Sequence, residues 1–213
     1  MARRPDLARR RRPRAAVTRR LGEPLERLSS ESDIAAFIAR RPSMMRVLRA
    51  AATQGLPDCW VGAGFIRNAV WDTLHGFSSP GAYADVDVVF FDASDTRRER
   101  DEGIEADLAT GYPDVPWSVR NQARMHARNG DAPYADTRDA LRHWPERCTA
   151  IAARASGDCI ELLAPFGVDD LVGLIVRPTL AFALKMNVYR ERLKEKNWQA
   201  RWPRLQVIGS NVP

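Results

Sequence analysis

The first half of the chain contains two strand-like apolar runs with a helical pattern of apolar residues between them. A short apolar run, Cys59-Trp60-Val61, ends in the turn Gly62-Ala63-Gly64. The next residues predict a helix because apolar and small side chains recur along one face at the helical period. These are Phe65, Ile66, Ala69, Val70, Thr73 and Leu74. After a loop rich in Ser, Pro and Gly, the β-branched and aromatic run 85–91 predicts a buried strand. The predicted order is therefore strand, glycine turn, helix, loop, strand.

The rest of the chain predicts helices packed on a sheet. The expected helices are about Ser32–Arg40, Ser43–Gln54, 94–109, 136–144, a short one within 167–171, and Ala181–Ala200. The expected strands are Trp117–Ala127, a hairpin formed by Cys148–Arg154 and Cys159–Ala164, and an edge strand at Leu205–Ile208. We predict an α+β fold with a mixed sheet of about five strands flanked by helices.

Two aspartates stand at the entry of the strand 85–91. Asp85 and Asp87 project to the same face, because residues two apart in a strand point the same way. Two adjacent carboxylates repel each other unless a cation lies between them. Mg²⁺ suits them, with Mn²⁺ as an alternative, since it takes oxygen ligands and leaves room for substrate phosphates. The turn Gly62–Gly64, with Ala63 at its centre, and the following helix N-terminus predict an anion site beside them.

At these residues the chain resembles the DNA polymerase beta-like nucleotidyltransferase superfamily. The superfamily pattern is a strand, Gly-Gly or Gly-Ser, a helix, and Asp-x-Asp on a strand; Ala63 departs from it. More closely, residues 30–208 resemble an uncharacterised bacterial nucleotidyltransferase-like family through the Asp85–Phe91 run and the segments WSVRNQARMH, PY, WPE and LLAPFGVDDL. The resemblance implies a nucleotidyltransferase fold, an NTP substrate and a Mg²⁺ site on Asp85 and Asp87.

Further site residues follow with alternatives left open. Arg67-Asn68 is similar to an Arg-Asp pair of template-independent nucleotidyltransferases, so Arg67 either contacts triphosphate or pairs with a carboxylate and holds the helix. Glu161, between Ile160 and Leu162, matches the local pattern of the superfamily's third carboxylate, or is a solvent-facing strand acid. Asn121 either satisfies backbone groups or reaches the nucleotide.

Charge is concentrated at one end of the sequence. Nine arginines and one acid give residues 1–20 a net charge of +8, which exceeds the +6 of the whole chain, so the remainder carries −2. Residues 1–20 are expected to be a disordered basic arm, with the nucleotidyltransferase-like domain at 21–213. The arm is either an electrostatic contact for RNA, DNA or an acidic surface, or it is an inert tail or the product of a mis-assigned start.

The composition also narrows the cellular setting. No apolar run approaches the roughly 20 residues of a membrane span, and no secretory signal is recognised. Three cysteines without C-x-x-C spacing favour free thiols in a cytoplasmic location and argue against zinc.

These observations favour a Mg²⁺-dependent enzyme. It would move an NMP from an NTP to an acceptor hydroxyl and release pyrophosphate, with Asp85, Asp87 and Glu161 as catalytic residues. Gly62, Ala63, Gly64, Arg67, Asn68 and Asn121 would bind the nucleotide. The alternative is a non-catalytic nucleotide-binding or RNA-interacting protein on the same scaffold, because folds outlive activities.

Overall fold

The computed structural model describes residues 28–77, 83–157 and 159–209. Its helices are α1 (Glu31–Ala39), α2 (Pro42–Ala52), α3 (Gly64–Leu74), α4 (Arg98–Gly111), α5 (Met125–Asn129), α6 (Thr137–Arg142), α7 (Asp169–Val172), α8 (Leu180–Ala183) and α9 (Met186–Lys196). Its strands are β1 (Trp60–Gly62), β2 (Val86–Phe90), β3 (Trp117–Asn121), β4 (Ala152–Ser156), β5 (Cys159–Leu163), β6 (Ile175–Val176) and β7 (Gln206–Val207). The predicted arm, residues 1–20, lies outside the described residues.

A five-stranded mixed sheet organises the fold, as predicted. Its strand order is β3-β2-β1-β4-β5. The β2–β3 pair is parallel, whereas β1 pairs antiparallel with both β2 and β4, and β4 with β5. A separate two-stranded parallel sheet joins β6 to β7. This order decides which side chains can meet, because strands that are close in sequence are not always neighbours in the sheet.

Both faces of the sheet are covered. One face carries the main core, in which Val86, Val88 and Phe90 of β2 pack with residues of α1, α2 and α3. The opposite face carries a smaller cluster, in which Trp60 and Val89 pack with residues that include Leu141 of α6. Since Asp87 and Val89 are two apart, the carboxylate of Asp87 projects to the side of the smaller cluster.

The largest differences between predicted and observed elements concern four segments. The strand predicted at Trp117–Ala127 ends at Asn121, because the Asn121 side chain accepts a hydrogen bond from the backbone of Ala123 and starts a 3-10 turn at Gln122–Arg124. The first hairpin strand begins at Ala152 rather than Cys148. The last helix is divided into α8 and α9, and β7 pairs with β6 instead of extending the main sheet.

The helices of the described ranges are short or rich in polar side chains. None of them is both long enough and apolar enough to cross a bilayer.

Candidate active site

The glycine turn lies directly against the aspartate strand. Gly62 ends β1 and is the antiparallel register partner of Asp87 on β2. A β-carbon at Gly62 would lie 3.0 Å from the carbonyl oxygen of Ile151 and 3.1 Å from the Trp144 ring. Glycine is therefore required here by close packing, which holds the turn at the level of the aspartate pair.

The turn continues through an unusual backbone conformation into α3. Ala63 has φ +54° and ψ −125°, a region that costs a residue with a β-carbon roughly 1–3 kcal/mol. Its N–H donates to the carbonyl of Ile151 at 3.0 Å, which fixes this conformation. Helix α3 then begins at Gly64. The free N–H groups of its first turn are available to an anion.

Gly64 brings the helix start to Asp85. A β-carbon at Gly64 would lie 3.5 Å from Oδ1 of Asp85, 3.4 Å from the amide nitrogen of Asn68 and 3.6 Å from Nη2 of Arg67. All three distances are ordinary van der Waals contacts. The predicted triphosphate residues of the turn and the first aspartate thus border one small volume.

The two aspartates differ in environment. Asp85 is exposed, whereas Asp87 is partly buried. Burial, followed by the negative charge of Asp85, raises the pKa of Asp87 to about 6, although Ser118, Arg67 and Lys196 act in the opposite direction. Such a pair is stabilised when a cation shares the two carboxylates.

The donor set fits Mg²⁺ held jointly by protein and substrate. Asp85 and Asp87 offer hard oxygen ligands side by side, which is the chemistry that Mg²⁺ prefers. Within the described ranges, no group of three or more His, Cys, Asp or Glu side chains is arranged to hold a metal. The remaining coordination positions would belong to water and substrate phosphates, as is common for Mg²⁺.

Arg67 is buried beside this pair. Its side chain is only 6% exposed, and it donates to Thr149 Oγ1 at 2.8 Å and to Asn68 Oδ1 at 2.9 Å. Its guanidinium lies 4.4 Å from the centre of the Trp198 ring. Burial lowers the pKa of Arg67, but an arginine keeps its charge in proteins.

The contacts of Arg67 bear on the two roles considered for it. Among the described residues it forms no ion pair with a carboxylate, and its Nε has no hydrogen-bond partner. The structure therefore does not show the alternative in which Arg67 pairs with a carboxylate. A buried cation without a carboxylate partner favours an anion nearby.

Two cavities flank the aspartate pair. The first, of about 260 Å³, lies beside Asp85 and the start of α3. The second, of about 330 Å³, lies beside Asp87 and Ala63. Its walls include aromatic and basic side chains, among them Trp144, Phe182, Arg120, Arg128 and Arg192. A substrate that spans both cavities would pass over the two carboxylates.

Glu161 does not lie with the aspartates, so its assignment as the third carboxylate is wrong. It stands on β5, three strands from β2, which corresponds to about 14 Å at the usual strand spacing. Its carboxylate pairs with Arg154 of β4 at 2.5 Å, and this bond lowers the pKa of Glu161. The alternative prediction for Glu161, an acid on a strand that faces solvent, is the correct one.

Asn121 is also a structural residue. Its side chain is 0% exposed, and its Nδ2 donates to the carbonyl oxygens of Asp92 and Asp95. Its Oδ1 accepts from the backbone of Asp92 and Ala123. These four bonds use the full capacity of the amide, so the nucleotide-binding assignment is corrected to a role in fastening the loop after β2.

The sequence pattern missed three residues that shape the site. Ser118 on β3 is the register partner of Asp87 and lowers its pKa through a side-chain hydrogen bond. Thr149 and Trp198 hold Arg67. No local pattern marks them, since each depends on strand pairing or on a contact between distant segments.

The fold and this site define a nucleotidyltransferase-type domain. A family model described as nucleotidyltransferase matches residues 49–207, and the chain belongs to that family. No curated protein matches the chain.

Solved structures give the same picture of the fold. One, described as an NMR structure that reveals a CCA-adding enzyme head domain, is 34% identical, with a TM-score of 0.77 over 86% of this chain and 98% of that chain. The Thermotoga maritima CCA-adding enzyme, solved in complex with tRNA, is 15% identical, with a TM-score of 0.50 over 84% of this chain and 42% of that chain. The second likeness concerns the fold alone.

Proposed function

We propose that the protein is a Mg²⁺-dependent enzyme that transfers an NMP from an NTP to an acceptor hydroxyl and releases pyrophosphate. The observation that carries the proposal is the placement of the Gly62–Gly64 turn against Asp85 and Asp87. It joins a phosphate-binding helix start to a pair of carboxylates suited to a divalent cation. Family membership supports nucleotidyl transfer in general.

The two cavities support an assignment of one cavity to the NTP phosphates and of the other to the acceptor. Terminal phosphates fit the cavity at the start of α3, where Gly64 and Asn68 lie beside Asp85. Displacement at phosphorus is in line, so the acceptor must approach from the side opposite the leaving pyrophosphate. We assign that side to the cavity of about 330 Å³ next to Asp87, which would receive a ribose or another hydroxyl-bearing group.

The reaction then balances as a single displacement. The acceptor oxygen forms a bond to the α-phosphorus while the bond from that phosphorus to the bridging oxygen breaks. Pyrophosphate leaves with the electron pair, and the acceptor proton is released to solvent. Bound Mg²⁺ would neutralise charge between the carboxylates and the phosphates. The protein supplies positioning and fixed charge, of which Arg67 is the buried part.

The position of a radioactive label tests the reaction even when the acceptor is unidentified. The protein is incubated with a cell lysate, Mg²⁺ and each NTP labelled at the α- or the γ-phosphorus. We expect label from the α-position alone to appear in an acceptor, and none with Asp85→Asn/Asp87→Asn. Transfer of γ-label would indicate a kinase instead. Glu161→Gln is the matched acidic control and should transfer label like the wild type.

A binding measurement on the same double variant separates the enzyme from a non-catalytic nucleotide-binding protein. Mg²⁺-dependent ATP binding is measured by calorimetry on the wild type and on Asp85→Asn/Asp87→Asn. Binding that survives in the double variant, together with no α-label transfer by the wild type, would favour the non-catalytic alternative.

An RNA end is the acceptor class that two observations favour. Arg120 and Arg128 line the acceptor-side cavity, and the 34%-identical relative is described as a CCA-adding enzyme head domain. An oligoribonucleotide should therefore bind with an affinity that falls steeply as salt rises, and removal of residues 1–20 should flatten that slope if the arm contributes. Salt-independent binding, with α-label in small molecules only, would exclude this candidate.

A further inference from the structure

The cavity beside Asp85 is lined in part by a segment far away in sequence. Gly64, Asn68 and Asp85 contribute to its lining. The lining also includes Arg201 and Trp202, which follow the 3-10 turn Trp198–Ala200 near the end of the described chain. The proposed phosphate cavity is thus completed by residues outside the glycine-turn and Asp-x-Asp motif.

Arg201 is held rigidly on α3. Its Nη2 donates to both carboxylate oxygens of Asp72, at 2.9 and 3.0 Å, and its Nε donates to one of them at 3.2 Å. Trp202 donates to the same carboxylate at 2.8 Å, and its ring packs edge-on against Trp71 at 5.1 Å. Since Asp72 is only 4% exposed, this anchor fixes the guanidinium before any ligand arrives.

One edge of this guanidinium remains available. The bonds to Asp72 use Nε and Nη2, and Nη1 has no hydrogen-bond partner among the described residues. The Arg201 side chain is 46% exposed and is the only basic side chain lining the cavity in the described part of the chain. A guanidinium with a free edge beside a helix start is suited to a phosphate oxygen.

A second, independent observation points to an anion here. Arg67 is 6% exposed, its Nε is unsatisfied, and its Nη2 approaches the position of a Gly64 β-carbon to 3.6 Å. A buried cation therefore lies beside the helix start, and Arg201 lines the same cavity as Gly64. Only Asp85 and Asp72 contribute negative charge to the lining within the described ranges, and Asp72 is neutralised by Arg201.

We propose that Arg201 is a binding residue for the terminal phosphates of the NTP, presented by the C-terminal segment and oriented by Asp72. This inference rests on the proposed function for the identity of the ligand. It assigns a ligand contact to a residue outside the Gly-Ala-Gly and Asp-x-Asp motifs. The alternative to this proposal is a purely structural role, in which Arg201 only neutralises Asp72.

The test removes the cation without leaving a buried charge unpaired. Asp72→Asn/Arg201→Gln replaces both members of the pair, which preserves folding better than Arg201→Gln alone. Binding of Mg²⁺-tripolyphosphate, a probe without a nucleoside, is measured by calorimetry on the full chain. Arg204→Gln is the matched control, because Arg204 lies in the same segment but does not line the cavity.

We expect the double variant to bind tripolyphosphate at least tenfold more weakly than the wild type, with Arg204→Gln unchanged. Equal affinity in the folded double variant, or no binding by the wild type, would overturn the proposal. If the double variant is unfolded, Arg201→Lys carries the test. A lysine ammonium lacks the rigid fork with which Arg201 holds Asp72 through one edge and leaves another edge free, so affinity should fall at least fivefold, and unchanged affinity refutes the assignment.

The outcome is separable from that of the proposed function. If the wild type binds tripolyphosphate through Arg201 but transfers no α-label, the phosphate site stands and the enzymatic proposal fails. If α-label transfer depends on Asp85 and Asp87 while Arg201 is without effect on tripolyphosphate, only the present inference fails.

Discussion

Replacement of Asp87 by Asn should stabilise the metal-free protein at alkaline pH. The carboxylate is partly buried on β2 and stands beside Asp85, so its ionised form is disfavoured in the folded chain. Asparagine has nearly the same shape and keeps an oxygen that can accept from Ser118. The substitution therefore removes a charge with little change in packing.

The size of the effect follows from the raised pKa. The interval between the ordinary value of 3.8 and about 6 corresponds to about 3 kcal/mol at 25 °C. Because the folded-state pKa lies above the unfolded value, the cost is complete above pH 6 and disappears as the pH falls through 6 towards 3.8. At pH 4.5 about 1 kcal/mol of it remains. The advantage of the variant should thus be about 2 kcal/mol greater at pH 8 than at pH 4.5.

Urea denaturation in EDTA at the two pH values measures this difference directly. Comparison between pH values cancels any pH-independent effect of the new amide. Asp107→Asn, an exposed site on α4, is the matched control and should change by less than about 0.5 kcal/mol. A stability difference between Asp87→Asn and the wild type that is the same at pH 8 and pH 4.5 would refute the reasoning. Saturating Mg²⁺ should shrink the variant's advantage at pH 8, because the wild type gains the bound cation.

Four further variants test the site assignments. Gly62→Ala should destabilise the protein by about 1–3 kcal/mol in urea denaturation, since its β-carbon would lie 3.0 Å from a carbonyl oxygen, whereas Gly64→Ala should fold normally but bind Mg²⁺-ATP several-fold more weakly in calorimetry. Glu161→Gln should leave ATP binding unchanged and cost less than about 1 kcal/mol, because its ion pair with Arg154 is about 40% exposed; a large loss of binding would restore it to the site. Asn121→Ala should cost about 2–4 kcal/mol with ATP affinity retained in calorimetry, because four partly buried hydrogen bonds are lost.

The local part of the site could be predicted from the sequence. The turn at Gly62–Gly64 and the carboxylates of Asp85 and Asp87 are each fixed by neighbours in the chain, through turn chemistry and strand alternation. Their meeting required only that β1 and β2 pair, and strands close in sequence usually do. The five-stranded sheet was predictable for the same reason, since each strand carries its own apolar pattern.

The environment of Arg67 could not be predicted in this way. Its partners Thr149 and Trp198 lie about 80 and 130 residues further along the chain. Whether an arginine at this place is exposed to ligand or buried under an aromatic ring depends on how the C-terminal segment packs on α3. Hydrophobic periodicity reports that Trp198 is in a core but not which residue it covers.

The position of Glu161 in the sheet could not be predicted from its local sequence pattern. An acid between two apolar residues is common in strands that have one solvent-exposed face. The pattern alone therefore does not predict which strand is the neighbour of β2. Here β4 and β5 extend the sheet beyond β1, and the two strands that do adjoin β2, β1 and β3, present Gly62 and Ser118 opposite Asp87. A hydroxyl therefore stands where a neighbouring strand could have supplied a third carboxylate. With two carboxylates instead of three, a divalent cation would depend more on substrate phosphates for its ligands, and any arginine that binds those phosphates would matter more to the site.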